Sequence, residues 1–454
     1  MKAGPALWEE VLGSEYQRAP VGLLAWIGGG ALFLFVLSFW VSRDLGRIFE
    51  VTAWLALVFS ARAVWRQERG EWLWLLMFGW LLFMLAVNMG AEYKYPQLSG
   101  EHIHFSRFYI RLFLFLLAGW WLGGNPRTVS IFLFLAAAGL YIEVFNCSLG
   151  KELEWLQKGR RVDFGFPNAQ HIAVLFGGVL IGALCFWQRF CSHRLGWFRV
   201  AGIPFWAVLT LSSLVIVCGA QTRQVFVAFL VCALVAAAWG INAIRSKRLI
   251  GRRVFTWVVA VGLVFIIAIT VFNPFQGVAQ RFKANWKTIT QVMQGDVGDL
   301  SLDGVGIRIL QWRFASDLML EAPLTGHGGA TKHVLIEESD LPEYLRTNFG
   351  HFHNGYLEMG VAYGVPGLLM LPLLIIVLIR RLLNAWANKL VPTDFMLFGV
   401  LGLVFFAVVN IFESYVMYRT GHFFMCIVGG AIYTLCRPWM VKKRGIAGSG
   451  EFAE

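Results

Sequence analysis

Apolar runs long enough to cross a bilayer recur from one end of the chain to the other. They are separated by short polar or basic joints. A membrane-spanning helix needs ~20 mostly apolar residues. By that measure the pattern predicts about twelve spans, at 21–41, 48–64, 72–89, 108–123, 129–147, 169–188, 203–220, 225–244, 254–273, 356–379, 394–413 and 423–440. The run at 21–41 is too long for a signal-peptide core and has no cleavage-like site, so it is read as a helix. The fold class expected is therefore all-α and polytopic.

Between 273 and 356 the apolar pattern lapses. A loop of this length far exceeds the usual connection and marks a functional element. It holds amphipathic stretches such as IRILQWRFASDLML at 307–320, which predict short helices near the interface. The chain divides accordingly into spans one to nine (1–273), the large loop (274–355), spans ten to twelve (356–440) and a tail (441–454). The final GIAGSGEFAE reads as disordered. The basic joints SKRLIGRRVF at 246–255 and IRRLL at 379–383 carry the positive-inside signal. They put both chain ends in the cytoplasm and the large loop outside.

Composition agrees. Hydrophobic residues make up 58% and charged residues 15%, against about 25% charged in soluble domains. The seven cysteines include no CxxC pair, which argues against a zinc site or a disulfide framework. No glycine-rich phosphate loop of either common type occurs, so nothing points to direct use of a nucleotide. No feature suggests nucleic acid.

Charge alters the picture in one respect. Many of the 39 Lys and Arg fall on the outward side in this topology, including Arg43, Arg47, Arg160, Arg161, Arg223, Arg281, Arg308, Arg313 and Arg419. Singly, such residues balance carboxylates or anchor headgroups. Together they suggest an anionic ligand, because guanidinium groups match phosphate oxygens in pairs. Arg223 lies in a tight hairpin between two spans, where a charge is costly and usually functional. Arg160 and Arg161 sit in the loop 151–171, suited to headgroups, to lipid phosphates or to a pyrophosphate. Asn168 and His171, at the start of span six, are candidate lining residues.

The richest stretch is GHFHNGYLEMGVAYGVPG at 350–367. His353 and Asn354 end the loop where span ten begins. Imidazole is the side chain suited to proton transfer near neutral pH, so His353 is a candidate base. A helix cap or an interfacial histidine is the plainer alternative. Pro366 predicts a kink, and its flanking glycines predict close backbone approach. Upstream, Arg308 and Trp312 share a helix face. A metallohydrolase is a weaker reading: His327, His333, His351 and His353 share the loop with Glu337, Glu338 and Glu358, but there is no HExxH. A transporter is weaker too, since no internal repeat is visible.

Three matches resemble the bacterial O-antigen ligase and O-antigen polymerase superfamily. They are His353-Asn354 with nine residues before Gly364-x-x-Gly367, Arg308-x-x-x-Trp312 followed by PLTGHG, and TRQ at 222–224 where the family has Ser-Arg-Gly. Gln224 departs from that last pattern. The resemblance implies a GT-C-like fold and a metal-independent, inverting glycosyltransferase of the inner membrane. It implies no cofactor, and an active site facing the periplasm. The donor would be an undecaprenyl-pyrophosphate-linked glycan and the acceptor the lipid A-core, with the chain embedded among membrane lipids. A polymerase extending lipid-linked repeats is the alternative. The implied catalytic residues are His353, Arg308 and Arg223. The implied substrate-binding residues are Asn354, Arg313, Arg160, Arg161 and Trp312.

Overall fold

A computed structural model describes residues 22–98, 100–191, 196–245, 288, 290–291, 300, 302 and 304–449, with the side chains of 191, 196–200, 243–245 and 437–449 excepted. Every regular element among them is helical. In chain order these are α1 (Leu23–Ser38), α2 (Arg43–Phe59), α3 (Ala61–Glu68), α4 (Trp72–Lys94), α5 (Glu101–Leu122), α6 (Pro126–Asn146), α7 (Leu149–Gln157), α8 (Ala169–Cys185), α9 (Trp187–Cys191), α10 (Gly196–Gly219), α11 (Arg223–Arg245), α12 (Gly306–Glu321), α13 (Lys332–Glu337), α14 (Glu343–Asn348), α15 (Gly355–Ala387), α16 (Thr393–Phe412) and α17 (Arg419–Ser449).

Seven described helices are long and apolar enough to cross a membrane, or eight if the bent pair α2–α3 is one span. This is a multi-pass membrane protein. Three further expected spans coincide with helices outside that set: the shorter apolar helices at 23–38 and 169–185, and α17. The span at 254–273, the joint at 246–255, Arg281 and nearly all of 274–299 lie outside the described residues. The stretch 48–64 is not one straight helix. The Ser60 N–H closes α2 onto Ala56 and Leu57, and the charged α3 leaves at 72°. The tail expected to be disordered is helical to Ser449.

Local chemistry sets the helix starts. Ser42, Asn125 and Asn168 each accept a backbone N–H of the first turn that would otherwise lack a partner. The helix α5 is the centre of the bundle: every residue from Leu112 to Leu122 is buried. Its second half packs along α17, while α1 lies on α2, α8 on α10, and α16 against both α11 and α15. Outer faces stay apolar, with Leu75, Leu82, Phe145, Val208, Leu234 and Ile376 exposed. Lipid accepts such a surface because it competes for no hydrogen bonds.

The break in α15 shows why the motif residues occur where they do. Tyr363 and Gly364 leave helical geometry, and Gly364 takes φ 66°. Pro366 has no N–H to offer the carbonyl of Ala362. That carbonyl accepts instead from Gly328 N–H at 2.9 Å, and the Val361 carbonyl from His327 N–H at 2.9 Å. Val365 N–H donates to the Pro323 carbonyl at 2.7 Å. The PLTGHG turn thus satisfies the backbone groups that the break releases, as burial in a bilayer requires. Backbones this close leave no room for side chains. A Cβ on Gly367 would stand 2.0 Å from the Met359 carbonyl oxygen.

The same segment is tied down by a buried ion pair. Lys332 Nζ lies 3.1 Å from Glu358 Oε2, with side chains 8% and 0% exposed. Glu358 Oε1 also accepts from Phe352 N–H at 2.7 Å and from Ser414 Oγ at 3.0 Å.

Two stability predictions follow from these contacts. Gly367→Ala should destabilise the protein by about 1–3 kcal/mol or more, because the clash is with backbone rather than a movable side chain. An unchanged melting temperature in detergent would show that the break can relax. Lys332→Ala should cost about 3–5 kcal/mol by stranding a buried carboxylate. A wild-type melting curve for that variant would mean the pair is not buried as described.

Candidate functional site

The site grows from the junction of α15 with the segment before it. Asn354 caps α15: its side-chain oxygen accepts from the N–H groups of Tyr356 and Leu357, at 3.0 and 3.1 Å. Its own N–H donates to Ser414 Oγ at 3.2 Å. Just before it, His353 holds φ 50°, a left-handed conformation uncommon for a residue with a side chain. The carbonyls on either side of His351 and His353 are gripped by α12. Gln311 Nε2 donates to the His351 carbonyl at 3.1 Å and Trp312 Nε1 to the Phe352 carbonyl at 3.0 Å. Trp312 therefore orients the histidine segment.

What these contacts deliver is a three-residue cluster. His353 Nδ1 lies 3.2 Å from Glu413 Oε2, and His351 Nε2 lies 3.2 Å from Glu413 Oε1. The two rings are 4.0 Å apart. Glu413 follows the last residue of α16 and also accepts the Ser414 N–H at 3.0 Å. Burial alone would raise its pKa. The hydrogen bonds and charge of His351 and His353 outweigh that and hold the carboxyl well below its usual range. Glu413 therefore stays ionised through neutral pH. In the neutral form of His353, an Nδ1–H donated to the carboxylate places the ring's acceptor lone pair on Nε2, the atom that can take a proton. The plainer reading of His353 as a cap fails, since Asn354 is the cap. The ligand atoms of His351, His353 and Glu413 lie within 4.8 Å of one another, so the cluster has the donors to hold a metal ion as well.

Around this cluster the structure gathers segments far apart in sequence. Tyr418 lies over His171, with rings 4.9 Å apart, and Tyr415 lies 5.7 Å from the same ring. His171 Nδ1 meets Thr420 Oγ1 at 2.7 Å. Gln224 donates to the Tyr415 hydroxyl and, at 3.1 Å, to Gln170. The residue that departs from the Ser-Arg-Gly pattern thus pins its hairpin to the 413–418 loop. Arg161 donates to the Ala220 carbonyl at 3.0 Å and to Asn168 at 3.4 Å. Arg161 and Arg308 both reach Tyr415 electrostatically. Arg308 donates to the Gly304 carbonyl at 2.7 Å, while its Nε is buried with no hydrogen-bond partner among the described residues.

Arg223 opens α11 one residue before Gln224, with its side chain exposed. Arg160 and Arg313 are exposed as well, and among the described residues no contact ties either of them to the histidines. His333 stands apart from the cluster against Phe105; burial and the neighbouring Lys332 charge pull its pKa down. An open surface depression lined by Glu337, Glu343, Arg346 and Thr347 shares no residue with the cluster.

Residues 207–372 match the family described as O-antigen ligase. That span contains Arg223, Arg308, Trp312, His353, Asn354 and the glycines of the α15 break, and it stops short of Glu413. The chain is also similar to an uncharacterized protein of Haemophilus influenzae (strain ATCC 51907 / DSM 11121 / KW20 / Rd), 25% identical over 199 residues. That similarity spans 43% of this chain and 46% of the relative, so less than half of either. The arginine hairpin, the Arg-x-x-x-Trp helix and the His-Asn cap all fall inside the region that matches the O-antigen ligase family.

Proposed function

We propose that the protein is an O-antigen ligase. In this reading it moves a glycan from undecaprenyl pyrophosphate to a sugar hydroxyl of the lipid A-core, at the periplasmic face of the inner membrane. The observation that carries the reading is the Glu413–His353 pair, which leaves a histidine nitrogen free to accept a proton beside arginines suited to a pyrophosphate.

The chemistry follows from the parts. The acceptor hydroxyl gives its proton to His353 Nε2 as its oxygen attacks the anomeric carbon. The bond from that carbon to the pyrophosphate oxygen breaks, and its electron pair leaves with the pyrophosphate. Attack opposite the leaving group inverts the anomeric centre. Negative charge grows on phosphate oxygens, and fixed guanidinium groups stabilise it most where they need not reorganise. Arg308, whose buried Nε has no partner among the described residues, and Arg223 take this role. Arg160, Arg161 and Arg313 offer further positive charge to lipid-linked phosphates. Glu413 neutralises the imidazolium that forms, which keeps the proton on the ring during the reaction.

His353→Ala should lower transfer by about 10²–10⁴-fold, the usual worth of general base catalysis, without loss of folded protein. Glu413→Gln keeps the shape but loses the charge, and should lower kcat by a comparable factor with little change in acceptor KM. Near-normal rates for either variant would remove the histidine from the mechanism. Arg308→Ala should cost about 10²–10³-fold in donor turnover. Unchanged donor kinetics would assign it a structural role.

The deciding assay uses purified protein, undecaprenyl-pyrophosphate-linked glycan and lipid A-core, with and without EDTA. One shift of the core to a glycan-bearing form, insensitive to EDTA, supports the ligase. A ladder of lengthening lipid-linked glycan identifies a polymerase. Activity lost to EDTA and restored by a divalent ion would assign His351, His353 and Glu413 to a metal.

A further inference from the structure

A second set of arginines lies beside the site and takes no part in the chemistry above. Arg419 is flanked in sequence by Tyr418 and Thr420, both of which touch His171. Its guanidinium lies 4.6 Å from the ring of Phe39 and 5.2 Å from that of Trp40, and it donates to the Phe39 carbonyl. Those rings are 5% and 8% exposed and form a fixed wall at the turn between α1 and α2. Arg111 pairs with Glu50 at 3.1 Å. Arg43, Arg47 and Arg111 all lie near enough to oppose the charge of Arg419, and Glu143 is near enough to favour it. Arg47 and Arg419 also act on Glu50.

Four arginines thus crowd two carboxylates at the end of the bundle that holds His353. Even with exposed Asp44 counted, positive charge is in excess. Like charges held this close repel, and charge near hydrocarbon is costly. Such a group is stable with an anion between its members. Arg43 and Arg47 are exposed and Arg111 is one-third exposed, so three of the four remain open to a ligand. The planar Arg419, stacked on aromatic rings, presents a preorganised donor edge rather than a mobile one.

We propose that Arg43, Arg47, Arg111 and Arg419 form a second anion subsite that holds a phosphate group of the acceptor glycolipid beside the reacting histidine. This rests on the ligase reading for the identity of the acceptor, and on the arginine cluster alone for the phosphate. The cluster differs in every residue from Arg223 and Arg308. Donor and acceptor phosphates are therefore held by separate groups.

The test uses the full chain in nanodiscs. Binding of lipid A-core is compared with binding of the same lipid after enzymatic dephosphorylation, for wild type, R43Q/R47Q and R43K/R47K. Wild type should prefer the phosphorylated lipid by about tenfold, the worth of one charge-assisted hydrogen bond. R43Q/R47Q should lose that preference and R43K/R47K should keep most of it. In transfer assays R43Q/R47Q should raise acceptor KM about tenfold and leave donor KM and kcat unchanged. Equal binding of the two lipids by wild type overturns the proposal. So does displacement of lipid A-core by phosphatidylglycerol or inorganic phosphate at equal concentration, since the cluster would then be a general headgroup or phosphate anchor. Phosphate preference without transfer would leave the subsite standing and remove the ligase reading. Transfer without phosphate preference would do the reverse.

Discussion

The carboxylate of Glu358 is the contact on which the site's geometry depends. It is 1% exposed, and an ion so deeply buried persists only if its lone pairs are filled. Three donors fill them: the Lys332 ammonium, the Phe352 N–H and the Ser414 hydroxyl. Each comes from a different part of the chain. Lys332 brings in the helix after the PLTGHG turn, Phe352 the histidine segment, and Ser414 the loop between α16 and α17. Removing Lys332 strands the charge and removing either neutral donor leaves a lone pair unfilled, so the three segments are fixed together. Ser414 neighbours Glu413 and Phe352 neighbours His353. One buried charge therefore sets the distance between the other carboxylate and its histidine.

The second constraint is the backbone break in α15. A proline inside a helix frees the carbonyl four residues earlier, and in a bilayer that carbonyl must find a donor from protein. Here the donor is Gly328, and the exchange runs both ways through Pro323 and Val365. The glycines of the two motifs are thus one feature seen from two sides. Neither can acquire a side chain without separating the turn from the helix. Because the turn leads directly to Lys332, the break and the buried ion pair reinforce each other.

Much of this was legible in the sequence. Apolar length located most helices, since a bilayer demands both apolarity and internal hydrogen bonding over the same stretch. The amphipathic run at 307–320 became α12, and Pro366 announced a break, although the backbone departs at Tyr363 and Gly364 just before it. Where the sequence misled, the cause was local. Hydropathy averaged over 48–64 cannot see that Ser60 ends one helix and that a charged, amphipathic one begins. Glu413 was invisible for another reason. It lies sixty residues from His353 and carries no spacing, and a single acid after an apolar run reads as an ordinary helix end. His351 was noticed only as a possible metal ligand, and Lys332 not at all, because pairing across a fold leaves no periodic trace. Asn354, expected to bind substrate, also caps α15 with its side-chain oxygen.

The two buried carboxylates make an instructive pair. Glu358 meets a lysine, a hydroxyl and an amide, contacts that tie three segments together. Glu413 meets two imidazoles, whose ordinary pKa lies in that range. Its charge is therefore coupled to a proton that can move. A carboxylate with a depressed pKa does not compete for that proton. In the proposed reaction it would stabilise the imidazolium once the proton had arrived. The same logic suits the arginines proposed to bind phosphate. Proton transfer needs a group poised to titrate, and phosphate recognition needs groups that never do. Separating the two kinds of residue would let a negatively charged ligand approach without changing the protonation state of the proposed arginines.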